Sequence, residues 1–176
     1  MKKIVFIFII AALSFSSDCW ALDWRKLHTE ADRMDIASAE KLSREDPQIA
    51  NFYVLALVYL TAHKDEEAGA LFERILAVDD TVFEAEWGRS EVFRRQHKLD
   101  ESQEIVLKIV KAHPGFAPAL ITLAYIRYLQ MNFEDTVRLG NEVIALGAKK
   151  VDISNLALAY MIVGAAKGML AHYGGP

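Results

Sequence analysis

Cysteine is nearly missing from this chain, with Cys19 alone among 176 residues. It stands at the end of a segment with the three parts of a secretory signal. Lys2 and Lys3 give a basic start, an apolar run extends from Ile4 to Phe15 broken only by Ser14, and Cys19 and Ala21 are small residues around a cleavage point. The expectation is export, to a periplasm, with residues 1–21 removed after Ala21. Lipid attachment at Cys19 is the lesser alternative, because a lipid-bearing cysteine follows a small residue and Asp18 stands there. A chain cut after Ala21 has no thiol, so disulfides and thiol nucleophiles are excluded. The remaining chain of about 155 residues can bury enough apolar surface without a covalent staple.

Long basic runs are also missing. Removing Lys2, Lys3 and Asp18 leaves 18 basic and 23 acidic side chains, and internal basic runs such as Arg94–Arg95 do not exceed two residues. That pattern gives no footprint for nucleic acid. The apolar run at the start is too short for a bilayer span, which needs about 20 residues, so no stable membrane span is expected after cleavage. No segment alternates with period two, and no Gly-Ser linker divides the chain.

Chemistry-bearing motifs are lacking as well. There is no glycine-rich phosphate loop, no serine elbow and no cysteine–histidine pair. His63 and His97 lie 34 residues apart and fall in the same turn of successive units. Packed helix axes are roughly 8–10 Å apart, whereas zinc holds its ligands at about 2 Å, so these read as solvent-facing turn residues and no metal is expected. The "DEE" at 65–67 sits at a helix start, where the helix dipole favours negative charge. The "DD" at 79–80 precedes one. The chain is read as no enzyme, with no cofactor.

What the chain does have is a period. In "FYVLALVYLTAHKDEEAGALFERIL", residues 52–76, two apolar-faced helical segments meet around a polar tip. A shift of 34 residues puts Phe93 in place of Tyr59, Ser102 for Ala68, Val106 for Phe72 and Ile109 for Ile75. A second shift puts Leu120, Leu123 and Ala124 in place of Phe52, Leu55 and Ala56, with Thr136 and Val143 for Ala68 and Ile75. A fourth opening, "ISNLALAYMIVG", brings back Leu156, Ala157 and Tyr160 with one residue lost from the spacing. Small residues at Ala56, Ala68, Ser90, Ser102 and Ala124 let paired helices approach, and Tyr59, Phe72 and Phe93 fill the gap to the next pair. A single pair cannot bury both of its flanks, so copies must stack. Pro118 suits a first helical turn, and Asp65, Asp100 and Asn132 are read as caps of the second helices.

The run Phe52-x-x-Leu55-Ala56-x-x-Tyr59 followed by Ala68-x-x-x-Phe72, with Pro114 closing the second copy, resembles the tetratricopeptide repeat. The resemblance covers about residues 23–173 and departs from the family pattern at Asp80, Arg127 and Gly140. It implies an all-α fold: an α-solenoid of stacked antiparallel helix pairs forming a right-handed superhelix, with about three full repeats plus flanking helices. The expected organisation is a capping helix or helix pair at 22–48, repeats at 49–82, 83–116 and 117–149, and a partial repeat at 150–176.

The resemblance also implies a concave groove lined by the first helix of each pair. An i, i+4, i+7 stripe on those helices gives Tyr53, Leu57 and Leu60, then Trp87, Glu91 and Arg94, then Ile121, Tyr125 and Tyr128, with Leu158 and Met161 on the last helix. This surface is aromatic and largely apolar with one charged pair, and it lacks the basic clamp by which some family members hold a peptide carboxylate. It suits a protein or peptide partner, entered helix-in-groove or as an extended segment. Burial of the same residues by the chain's own end is the competing reading. Two other functional readings stay open: an accessory subunit of an envelope or solute transport system holding a small hydrophobic ligand, and a homo-oligomer built through the C-terminal helix, where Gly164 and Gly168 lie four apart.

Overall fold

The computed structural model describes residues 23–173, so the signal segment, its cleavage point, Cys19 and the closing "GGP" lie outside the described residues. Among those residues there are nine helices and no strand: α1 (Trp24–Ala31), α2 (Ile36–Glu45), α3 (Ile49–Thr61), α4 (Asp65–Val78), α5 (Phe83–Arg95), α6 (Leu99–Ala112), α7 (Ala117–Leu129), α8 (Phe133–Leu146) and α9 (Ile153–Tyr173). The fold is an all-α stack of antiparallel helix pairs, α3/α4, α5/α6 and α7/α8, each packed on the next, with α9 against α7 and α8.

The 34-residue period is present in the backbone itself. α3, α5 and α7 begin at 49, 83 and 117, and their partners begin at 65, 99 and 133. The turn inside each pair has one geometry, with a left-handed residue at His63 (φ 58°), His97 (φ 62°) and Met131 (φ 60°). In each turn the next amide reaches back to close the first helix: Lys64 N–H to Tyr59 C=O, Lys98 N–H to Phe93 C=O and Asn132 N–H to Arg127 C=O, all at 2.9 Å. This is a left-handed helix stop of the kind glycine usually supplies, built here from two histidines and a methionine.

That turn corrects the cap assignment. It leaves one residue before the second helix, and that residue is Lys64, Lys98 or Asn132. Only Asn132 caps, accepting the Asp135 amide at 3.1 Å. Asp65 and Asp100 lie inside the first turns of α4 and α6, where they face the positive end of the helix dipole. Asp65 also ties its repeat to the next one, 3.2 Å from Arg95 Nη1.

Packing follows the small-residue pattern. Ala56, Ala68, Ser90, Ser102, Ala124 and Thr136 are all completely buried between helices. Gly140 stands where the earlier copies have Phe72 and Val106, and the reason is physical: a Cβ there would overlap the Val163 side chain of α9. Pro118 sits in the first turn of α7 as expected.

The register of the fourth copy differs from the sequence reading. Ala157 and Tyr160 are exposed, and Leu156 is only half-buried. Ala159 and Ala166 are the fully buried small residues of α9. The connection 147–152 is two residues longer than 79–82 and 113–116, so α9 is displaced forward rather than back. Gly147, at φ 72°, starts that longer connection.

Candidate functional site: a cup on the concave face

The first helices of the pairs converge on one cavity of about 320 Å³. Its lining comes from α1, α3, α5, α7 and α9, together with Asp32 at the end of α1, and none of it from α2, α4, α6 or α8. Stacking thus directs one set of helices inward, as the 34-residue period implies. Of the stripe residues, Leu57, Leu60, Trp87, Glu91, Arg94, Ile121, Tyr125, Leu158 and Met161 line this cavity.

Tyr53 and Tyr128 do not line it. Tyr53 has no exposed surface, and its hydroxyl lies 3.1 Å from Nε2 of His28 in α1, which covers that end of α3. Tyr128, at the far end of α7, packs its ring edge-on to Phe133 of α8, centroids 5.5 Å apart. Both rings serve the fold rather than the cavity.

One wall is a continuous polar relay. Trp87 Nε1–H donates to Thr122 Oγ1 at 3.0 Å, and the Thr122 hydroxyl donates to Glu91 Oε1 at 2.6 Å. Arg94 Nη2 and Nε close the relay on the same carboxylate at 2.8–3.2 Å. Burial alone would raise the Glu91 carboxyl, but the Arg94 guanidinium and the Thr122 hydroxyl overcome it and hold the group below the usual carboxylate range. The charged pair read from the sequence is therefore a neutralised ion pair, and its carboxylate is committed to three donors. The Arg94 guanidinium lies over the Tyr125 ring, 4.7 Å from its centroid.

The other wall was not legible in the sequence. α1 lies in the concave space, with Trp24 edge-on to Phe116 at 5.3 Å and His28 against Trp87 at 5.3 Å. His28, Ala31 and Asp32 border the cavity. His28 also meets Asn155 Nδ2 through Nδ1 at 3.4 Å, and Asn155 in turn donates to Asp152 at 2.8 Å. Burial lowers His28 from 6.5 to about 4 against the opposing pull of Asp152 and Asp32, so the ring is neutral. The stripe missed half of the lining, including the polar side chains of His28, Thr122, Ser154 and Asn155. Thr122 adjoins the stripe at Ile121, but nothing in local spacing points to His28.

The mouth is apolar. Tyr125 is 38% exposed, Leu158 42% and Met161 63%. An apolar group entering here would meet aromatic and aliphatic walls, with the Glu91–Arg94 pair at its side. Among the described residues no group of three His, Cys, Asp or Glu side chains is placed to hold a metal ion.

The geometry defines a class: an all-α array of stacked helix pairs with a cup lined by its first helices and α1. No family model matches the chain, and no curated protein matches its sequence. Among solved structures it is similar to one titled "MamA RS-1 ArsTM double mutant", with a TM-score of 0.49 and 14% identity over 84% of this chain and 91% of that one.

Proposed function

We propose that this chain is an exported, non-enzymatic member of the tetratricopeptide-repeat family that holds a protein or peptide partner in the cup, in a periplasm. The observation that carries the reading is the convergence of nine stripe residues, drawn from four successive first helices, on one cavity. A mouth of Tyr125, Leu158 and Met161 exposes apolar surface, and such surface around a pocket marks interaction sites. The commitment of Glu91 to Arg94 and Thr122 removes the one acid in the relay from proton-transfer work.

The test uses two exposed apolar groups at the mouth. Trp87 is buried and hydrogen-bonded, so its substitution would report on folding. Leu158→Asp with Met161→Asp charges the mouth at two residues of α9 that take no part in the Trp87–Thr122–Glu91–Arg94 relay. The mature chain, this double variant and Lys108→Glu on α6, outside the cup, are each immobilised and exposed to envelope extract. One defined protein should be retained equally by wild type and the α6 control, and at least about tenfold less by the double variant. Equal recovery by all three, with unchanged circular dichroism, overturns the reading.

A second reading draws on the enclosed volume, which lies at the lower end of small-molecule sites, roughly 300–1,000 Å³. In it the cup holds a small hydrophobic ligand for a transport system. Native mass spectrometry of chain purified from the envelope discriminates the two, since only this reading expects a bound small mass.

A further inference from the structure

The cup adjoins the seat of α1, whose His28 and Ala31 line it together with Asp32. α1 presents Trp24, Leu27, His28 and Ala31, an i, i+3, i+4, i+7 stripe of the kind by which an amphipathic helix enters a groove. Leu27, His28 and Ala31 are buried, and Trp24 packs against the core. The helix stops at Ala31 and the chain turns away to α2, which begins at Ile36. The cup opens at that stop, with Ala31 and Asp32 on its border.

We propose that α1 is a displaceable occupant of this groove, and that the partner segment is an amphipathic helix repeating the α1 stripe and continuing for about two further turns into the cup. The proposal rests on the concave-groove reading above and specifies its ligand.

Three features support displacement. α1 has eight residues, a length at which helices depend wholly on what they pack against. Hollows of about 1040 Å³, beside residues 148–156, and about 560 Å³, beside α2 and α3, flank it. Its direct polar ties to the connection before α9 and to the first turn of that helix are few: two exposed hydrogen bonds, Arg25 Nη1–H to Lys149 C=O at 2.6 Å and Ser154 Oγ–H to Asp32 at 2.5 Å, and the buried contact of His28 with Asn155 at 3.4 Å. A longer helix keeps the stripe contacts and adds Leu57, Leu60, Ile121, Tyr125, Leu158 and Met161, which α1 ends too early to fill. The extension must carry the advantage, because α1 is tethered and competes at an effective concentration of order millimolar.

The experiment compares two fluorescein-labelled peptides on the full mature chain by anisotropy. One is residues 23–31; the other adds a seven-residue helical extension with leucines at its third and seventh positions. The extended peptide should bind at least about tenfold more tightly than the short one. Asp32→Cys with Ser154→Cys ties α1 in place when oxidised; binding should fall at least about tenfold and return on reduction. If that pair fails to fold or to close, hydrogen exchange of α1 amides in the wild-type chain reads the same event, and saturation with extended peptide should accelerate it. Equal affinity of the two peptides, equal binding to oxidised and reduced protein, or unchanged α1 exchange at saturation each overturns the proposal. Should the extended peptide fail while Leu158→Asp with Met161→Asp still abolishes partner capture, the groove reading stands and only the α1 proposal falls.

Discussion

The Phe72 ring of α4 occupies the space in which a side chain on Gly88 of α5 would begin. Phe72 is completely buried, so it cannot swing aside. Two neighbouring repeats meet at this point, and the missing Cβ sets how closely α4 and α5 approach. Gly88→Ala should therefore destabilise the chain by about 1–3 kcal/mol, overpacking outweighing the gain in helix propensity. Urea denaturation gives the value. Phe72→Leu in the same chain should recover part of the loss, and a strictly additive double variant would contradict the contact.

The left-handed turn residues predict the opposite sign. A side chain at φ near 60° is strained, and glycine is not. His97→Gly and Met131→Gly should each stabilise the fold by about 0.5–1 kcal/mol, after subtraction of the extra freedom glycine gives the unfolded chain. His63 is a less clean test, because its Nδ1 lies 3.4 Å from Arg95 Nη1. Rising urea midpoints for the two variants are the expected readout.

Glu84 makes stability depend on pH. Its carboxyl is buried in α5 with Oε1 unpartnered, and burial raises it from 4.5 to about 7. Between those values the folded chain holds a proton that the unfolded chain has released. Stability contributed by this group is present below pH 4.5, falls as pH rises to 7, and is level above it, a loss on the order of 2–3 kcal/mol. Glu84→Gln should remove this contribution, and the fall in urea midpoint between pH 6.5 and 8, above the His28 window, should disappear.

His28 acts in the reverse direction. Its folded value near 4 lies below the ordinary 6.5, so the unfolded chain takes up the proton first. Stability is present above pH 6.5 and lost as pH falls toward 4. In the wild type the two titrations oppose each other between pH 4.5 and 6.5. In the Glu84→Gln chain the His28 effect stands alone, and acidification through that window should lower the urea midpoint. It should also lower the protection factors of the α1 amides, taken against the intrinsic exchange rate at each pH, since His28 holds that helix in the groove. A midpoint that stays level would show that His28 is not buried as described.

Most of the repeat architecture was legible in the residues. Ala56, Ser90 and Ala124, and likewise Ala68, Ser102 and Thr136, mark close helix approach by size alone. Leu57, Trp87, Tyr125 and Met161 fall on the cup because a helix face is a property of spacing. The turns were legible only in part: a left-handed stop at histidine or methionine carries no composition signal, so Asp65 and Asp100 were read as caps. The fourth register was misread because Leu156 and Ala157 imitate the pattern, while the two extra residues of 147–152 are invisible to it.

Local period by itself determined the helix pairs, their stacking and the inward stripe, since each depends on residues a few positions apart. Tertiary structure alone decided that Tyr53 is covered and that α1 forms one wall of the cup. Those outcomes rest on contacts such as Arg25 with Lys149 and His28 with Asn155, 124 and 127 residues apart. No short-range pattern encodes such pairs, because they form only when α1 lies across several successive repeats at once.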